Sequence, residues 1–287
     1  MIISPQKFKL IQFIITQNPN INSISATLNM RGETQTFYLH TSPEFAMKRL
    51  LALGSGPIYQ ITKVFRDDEI GRLHQPEFSM LEWYRPGFSH HDLMNELTEL
   101  SMVLGLPESE RNSYESVFLK YLDINPHDAS ISTLQTLAIR LGLHELSDDR
   151  SILLEFLFSH SVSPHLGKNR PLLLYDYPAC QAALSRISHG SPPLAERFEL
   201  FVDGIELANG FHELSDPIEQ RRRFDKENQI RKERGLPQVI IDEDFLQALH
   251  AGLPDCSGVA IGLDRLLLVL CSARYIDDVM TFPMAQA

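Results

Sequence analysis

The segment RFELFVDGIELANGFHEL, Arg197 to Leu214, constrains the fold of this chain more than any other stretch. Two alternating runs flank Asp203-Gly204, a pair that accepts positive φ at both central positions of a type I′ turn, so the segment predicts an antiparallel hairpin. Its second strand carries Glu206, Asn209 and Glu213, with Asn209-Gly210 read as a bend or bulge between the carboxylates. Two carboxylates and an amide on one short strand are costly to bury alone. They point to a divalent cation or a substrate amine, the other reading being a solvated edge strand.

A second hairpin is predicted where a strand from Ile58 to Arg66 runs into VFRDDEIGRLHQPEFSMLEWYR, Val64 to Arg85. Period-two alternation places Phe78, Met80, Glu82 and Tyr84 on one face, with Glu77, Ser79, Leu81 and Trp83 on the other. Neither face is purely apolar. An aromatic, a carboxylate and a phenol share one side, while Arg66, Arg72 and His74 sit at or near the loop. That mixture suits a nucleotide-like ligand: rings for stacking, cations for phosphates, a carboxylate for an amine.

Around these hairpins the pattern predicts helices. Ser42 reads as an N-cap with Pro43 at the first helical position and Gly54 as the stop, so Glu44 falls in the first turn, where it serves either the helix dipole or a ligand. Ser89 to Gly105 reads as a second helix, followed by Tyr114–Leu122, Thr133–Leu141 and Ser151–Ser159, a buried-type strand at Leu172–Tyr177, and a charged, solvated helix from Pro217 to Arg234. Residues 1 to 40 give only a possible strand around Ile24 to Leu28. The adjacent His90 and His91, and His160 with His165, read as core or exposed histidines rather than a metal set. In SGVAIGLDRLLLVL, small residues at Gly258, Ala260 and Gly262 allow close approach of a ligand, and Arg265 falls in the first turn of the following helix. A cation there is unfavourable unless an anion is present, which hints at phosphate. The chain has neither a Walker loop nor a GxGxxG fingerprint, which argues against mononucleotide and Rossmann folds.

At a net charge of -11 a general nucleic-acid binder is not expected, because phosphate contacts need a basic surface. Three widely spaced cysteines without a CxxC pair argue against a disulfide framework or a zinc ribbon. The opening apolar run is short and broken by Gln12, and no stretch approaches the roughly 20 apolar residues of a membrane span, so a cytoplasmic, membrane-free protein is expected.

FRDDEIGRLHQPEFSMLEWY and GVAIGLDRLLL resemble motifs 2 and 3 of the class II aminoacyl-tRNA synthetases, in the lysyl, aspartyl and asparaginyl subgroup. With TSPEFAMKRLL, PEFSMLEWYRP, GIELANGFHEL and GLPDCSGVAIGLDRL, the chain from about Tyr38 onward is similar to truncated lysyl-tRNA synthetase paralogs that modify elongation factor P. The resemblance implies an α+β catalytic domain over residues 1–287, an antiparallel sheet flanked by helices, without an anticodon-binding domain and with tRNA an unlikely partner. It implies ATP and Mg²⁺, a lysine-type amino acid such as (R)-β-lysine, and a lysine ε-amine of elongation factor P as acceptor. By position, Arg66 would neutralise the α-phosphate and Arg265 the γ-phosphate, both catalytic, with Phe78 stacking on adenine. Asp67, Asp68, His74, Gln75, Glu206, Leu207 and Gly262 would complete the ATP site. Glu206 and Glu213 would hold Mg²⁺. Ser42, Pro43, Glu44, Glu82, Tyr84, Asn209, Glu213 and Ala260 would line the amino-acid pocket.

Asp68 stands where the family has Glu, Gln75 where it usually has Asn, and Ala260 where lysyl synthetases usually have Gly. Motif 1, which builds the family's homodimer interface, is reduced to Ile2-Ile3-Ser4-Pro5, so homodimerisation is in question. A paralog with another acceptor and a catalytically silent amino-acid or nucleotide sensor are the rival readings.

Overall fold

The computed structural model describes residues 6–7, 13–67, 70–145 and 147–284. Asp68 and the motif 1 remnant at residues 2–5 lie outside them. In chain order the elements are β1 (Gln6–Lys7), β2 (Phe13–Ile14), β3 (Ser25–Met30), β4 (Glu33–Leu39), α1 (Glu44–Ala52), β5 (Ile58–Phe65), β6 (Glu77–Pro86), α2 (His90–Val103), β7 (Glu110–Ser113), α3 (Tyr114–Leu122), α4 (Ile131–Arg140), α5 (Arg150–Leu157), β8 (Leu172–Pro178), β9 (Leu194–Val202), β10 (Ile205–His212), α6 (Pro217–Glu233), α7 (Glu243–Gly252), β11 (Cys256–Gly262) and α8 (Leu263–Leu270). The chain divides into two compact units.

The first unit takes residues up to Gly87, Ser215–Cys256, and the chain from Ala260 onward. Here β5 and β6 form the expected antiparallel hairpin, with Gln60 opposite Glu82 and Val64 opposite Phe78, while β1 adds parallel to β5. A separate antiparallel sheet, β2-β4-β3, turns between β3 and β4 at Arg31 and Gly32, both at positive φ. The single strand expected near Ile24 is thus one arm of a hairpin. Helix α1 begins one residue later than expected: Pro43 is its N-cap, and Ser42 Oγ accepts from Glu44 N at 2.9 Å, so proline's fixed φ sits just outside the helix. Gly54, at φ +84, follows its end as expected. Phe45 on α1 stacks on Phe245 of α7 at 4.5 Å and leans on Phe224 of α6 at 5.7 Å, an aromatic seam that holds the three helices together. The charged α6 behaves as a solvated helix, with Arg222 and Arg223 both on Glu219 and only Gln220, Phe224 and Asn228 buried.

The second unit, Phe88–Leu214 with Ser257–Val259, is built on β10-β9-β8, successive antiparallel neighbours, with β7 parallel to β8. The turn between β9 and β10 falls at Asp203 and Gly204, φ 52 and 77, as the type I′ pair predicts. Tyr114, Phe118 and Phe158 stack in series at 4.6 and 5.5 Å from Tyr114, and this core takes in Leu134, Leu154, Leu174 and Phe201. Side chains of this kind contribute roughly 1.5–3 kcal/mol each when fully buried. Serine or aspartate caps begin the helices: Ser89 with a full capping box to Asp92, then Ser113, Ser130 and Asp149. Gly167, at φ +66, has no room for a Cβ, which would lie 2.4 Å from Phe201 O. Both units are therefore antiparallel-rich sheets flanked by helices, an α+β architecture with a parallel pair in each. Among the described residues no helix is long and apolar enough to cross a membrane.

Candidate active site

In the first unit the predicted amino-acid residues converge on Glu82. Its carboxylate is 3% exposed, and it accepts from Ser42 Oγ at 2.9 Å and from Tyr84 Oη at 2.6 Å. Lys48, fully buried on α1, turns instead to Glu44 Oε1 at 2.7 Å, one helical turn away. The strand pair delivers Glu82 and Tyr84 on one face, and the turn before α1 delivers Ser42 and Glu44. Burial, and then the neighbouring Glu44, raise the Glu82 carboxyl to about 7, against the pull of Tyr84, Ser42 and Lys48. Opposite it in register, Gln60 is 2% exposed, and its Oε1 finds no hydrogen-bond donor among the described residues. A raised carboxyl beside an unpaired buried acceptor has the chemistry to receive an ammonium group: a cation brought there would ionise Glu82 and satisfy Gln60. Ser42, Pro43 and Glu44 also form one wall of a 570 Å³ cavity reaching Asp242 and Glu243.

The predicted phosphate residues form two pairs. The Arg66 guanidinium lies 5.1 Å above the Phe78 ring, with its Nε donating to Thr41 O at 3.4 Å. Arg265 donates through Nε to Leu73 O and through its terminal nitrogen to His74 Nε2, which places the His74 proton on Nδ1. Gly71 and His74 close the hairpin loop on each other through reciprocal backbone bonds. At Gly262 an added Cβ would meet only Arg265 Cβ, at 4.0 Å, so no protein contact demands glycine and the space remains for a ligand. Asp67 is exposed and donates its backbone N–H to Asn22 O, and Ala260 is half-buried. The Gln75 amide is spent within the fold: Nε2 donates to Asp277 Oδ1 at 2.6 Å, and Oε1 accepts from Met284 N.

In the second unit Glu206 and Glu213 stand seven positions apart on β10. An odd spacing would set them on opposite faces of a regular strand. The register shifts by one residue between Glu206 and Ala208, so Leu207 is bulged out and Glu206, Asn209, Phe211 and Glu213 share a face. The bulge predicted at Asn209-Gly210 thus lies earlier, and Gly210 has a different cause: a Cβ there would sit 2.3 Å from the Phe198 ring. Glu213 is 2% exposed and Glu206 half-buried, a carboxylate pair whose hard oxygens fit Mg²⁺. Asn209 is drawn inward, its Oδ1 accepting from Arg197 Nε at 3.3 Å.

Arg197 and Glu199 were not singled out in the sequence. Arg197 bonds to Glu199 and to Gln181 O, and lies 4.6 Å over the Tyr177 ring, while Tyr177 Oη donates to Glu199 Oε2 at 2.6 Å. Burial raises the Glu199 carboxyl above its ordinary range, opposed chiefly by Arg197. Their signal was present as two charges spaced by two within the apolar strand RFELFV. His90, expected to be a core or exposed histidine, is a buried one. It lies beside Glu196 and His212, with Asp176 4.0 Å from its Nε2. Burial, with His91 and His212 close by, lowers the His90 pKa to about 3.

Residues 13–286 match the family described as tRNA synthetases class II (D, K and N). Three curated relatives carry the name elongation factor P--(R)-beta-lysine ligase. That of Yersinia enterocolitica is 49% identical, covering 88% of this chain and 79% of its own. The Enterobacter protein is 50% identical over 89% and 80%, and that of Photobacterium profundum 50% over 87% and 79%.

Proposed function

The chain belongs to the class II tRNA synthetases of the D, K and N group, and from that premise we propose that it activates a lysine-type amino acid with ATP and passes it to elongation factor P. The donor is (R)-β-lysine, and the acceptor is a lysine ε-amine. The observation that carries this reading is the Glu82 receptor: a buried carboxyl held near neutrality beside the unpaired Gln60 Oε1. A diamino acid brings two ammonium groups, and one of them fits there. The names of relatives about half identical along most of the chain support the same donor and acceptor.

The amino-acid carboxylate attacks the ATP α-phosphorus and pyrophosphate leaves; the acceptor amine then attacks the carbonyl of the adenylate, forming the amide as the acyl–phosphate bond breaks and AMP and a proton leave. Arg66, resting on the Phe78 ring, would stabilise charge at the α-phosphate, and Arg265, braced by Leu73 O and His74, would hold the terminal phosphate. Asp67, His74 and Gly262 would line the nucleotide site, with Leu207 bulged out between the strand positions that aim Glu206 and Glu213. Asp68 keeps the ATP role that its motif position implies. Gln75 acts by fixing the loop through Asp277. Glu206 and Glu213 would hold Mg²⁺, which supplies neutralisation of phosphate charge when bound. Pro43 sets the turn that presents Ser42 and Glu44, Asn209 fixes Arg197, and Ala260 lines the pocket. A reaction that consumes ATP and modifies elongation factor P belongs in the cytoplasm.

ATP–pyrophosphate exchange measured with (R)-β-lysine, α-lysine, Asp and Asn tests the activation step, with exchange expected for the lysine-type donors. Exchange with none of them would favour a silent sensor. The intact mass of elongation factor P incubated with the protein, ATP and (R)-β-lysine tests the acceptor; exchange without a mass shift would assign another one. Arg265→Ala is expected to abolish exchange, and retained activity would overturn the phosphate assignment.

A further inference from the structure

The face of β10 opposite Glu206 and Glu213 carries a second cluster, made entirely within the second unit. His90 is the first residue of α2, and His212 ends β10 beside Glu196 of β9, one step beyond the Phe211–Arg197 pair. One donor atom from each of the three lies within 4.8 Å of the other two. His90 is 6% exposed, yet neither of its ring nitrogens has a hydrogen-bond partner among the described residues. A buried imidazole left in that state is destabilising unless something completes it. The capping box of Ser89 and Asp92 fixes the helix end that carries it, so the ring is not a fraying side chain.

We propose that His90, His212 and Glu196 bind one divalent cation of the zinc type, with Asp176, 4.0 Å from His90 Nε2, available for a fourth position. Two imidazoles disfavour Mg²⁺ and Ca²⁺, which take oxygen ligands, and a His₂-carboxylate set suits zinc. Zinc bonds of about 2.0–2.1 Å in a tetrahedron place donors roughly 3.4 Å apart, so His90 needs to close on the other two by no more than about 1.5 Å, while His212 Nδ1 and Glu196 Oε2, 2.5 Å apart, open by about 1 Å. In the structure His212 Nδ1 hydrogen-bonds to Glu196 Oε2. A cation takes the place of the proton between them, which is released to solvent, as metal ions displace protons from their ligands. Asp176 sits at the irregularity between Tyr175 and Tyr177 in the β8–β9 register, at φ +60, and is half-buried, as is Glu196, so the cluster has a way in from solvent. The ion would tie the start of α2 to β9 and β10 immediately behind Glu213, and its role is structural.

The test is zinc content and thermal stability of the full-length protein, stripped with chelator and titrated with ZnCl₂. The expected result is one equivalent of zinc per chain and a rise in Tm on binding, with both lost in His90→Ala. The Glu206→Gln variant should keep the equivalent. No retained zinc, equal retention by His90→Ala, or loss in Glu206→Gln would each overturn the assignment, the last by placing zinc at the oxygen pair. Should His90→Ala fail to fold, Glu196→Gln and X-ray absorption on the zinc-loaded wild type decide: two imidazole ligands support the site, and an all-oxygen shell refutes it.

Discussion

Each unit buries a glutamate beside a tyrosine, and the two are finished differently. Glu199 is closed from within: Arg197 supplies the countercharge, Tyr177 a hydroxyl, and the Arg197 guanidinium is itself covered by the Tyr177 ring. Among the described residues Glu82 accepts from the hydroxyls of Ser42 and Tyr84, while the nearby Lys48 donates to Glu44 and pulls on Glu82 only through space. A buried carboxylate with an internal cation is part of the framework. One whose hydrogen-bond donors are neutral hydroxyls, with a raised pKa and an unpaired neighbour in Gln60, is the one proposed to take a cation from outside. Burial alone does not separate the two; the identity of the partner does.

Breaking the closed pair should have the largest effect. Arg197→Met leaves Glu199 buried and uncompensated, and a loss of about 3–5 kcal/mol in stability is expected by denaturant unfolding. If stability is unchanged, Glu199 is not held by Arg197. Glu82→Gln should do the opposite, raising stability at pH 8, where the buried carboxylate is ionised, while reducing kcat/KM for the amino acid in exchange by roughly 10- to 150-fold, the equivalent of about 1.5–3 kcal/mol for a hydrogen bond to a charged group. A matched pair sharpens the contrast further. Tyr177→Phe should cost about 1 kcal/mol of stability and Tyr84→Phe a similar amount of amino-acid binding. The reverse pattern would exchange the two roles.

A further effect is in protons. Because the Glu82 carboxyl is raised to about 7 from its ordinary 4.5, the folded chain keeps a proton that the unfolded chain releases between those values. Stability from this group is therefore greatest below pH 4.5 and declines as pH rises through 7, and Glu82→Gln should remove that slope. Binding of an ammonium ligand at pH 6 should expel the proton, and at pH 9 it should expel none. Calorimetry in buffers of different ionisation enthalpy reads this directly; a proton count independent of pH would contradict the receptor.

Much of this architecture is local and could be read from the chain. Asp203-Gly204, the Ser89 cap and the period of β6 each act over a few residues, so their signals survive in sequence. The α7 signals were equally local, with Asp242 as cap and Phe245, Leu246 and Leu249 buried, yet went unread beside the charged segment before it. Other features are set by distant partners. Gly210 looks like a turn residue, and only the Phe198 ring across the ladder shows why it is glycine. Ser42 looks like a helix cap and in fact divides its hydroxyl between Glu44 N and Glu82. His90, Glu196 and His212 are scattered along the chain and meet only because α2 begins beside the ends of two strands. On the candidate site, sequence could not show that the Gln75 amide bonds to Asp277 and Met284 or that Asn209 Oδ1 accepts from Arg197, because these partners lie elsewhere in the chain.

The extra residue at Leu207 has a further consequence. It acts as a phase shift: every side chain after it on β10 faces the way it does because this one position stands outside the ladder. Deleting Leu207 would leave Glu206 and Glu213 an even six positions apart and still on one face, whereas drawing Leu207 into the ladder would swap the faces after it, turning Glu213 to the histidine side and bringing His212 to the face of Glu206. A strand with oxygen ligands on one side and imidazole on the other keeps two chemistries apart by counting.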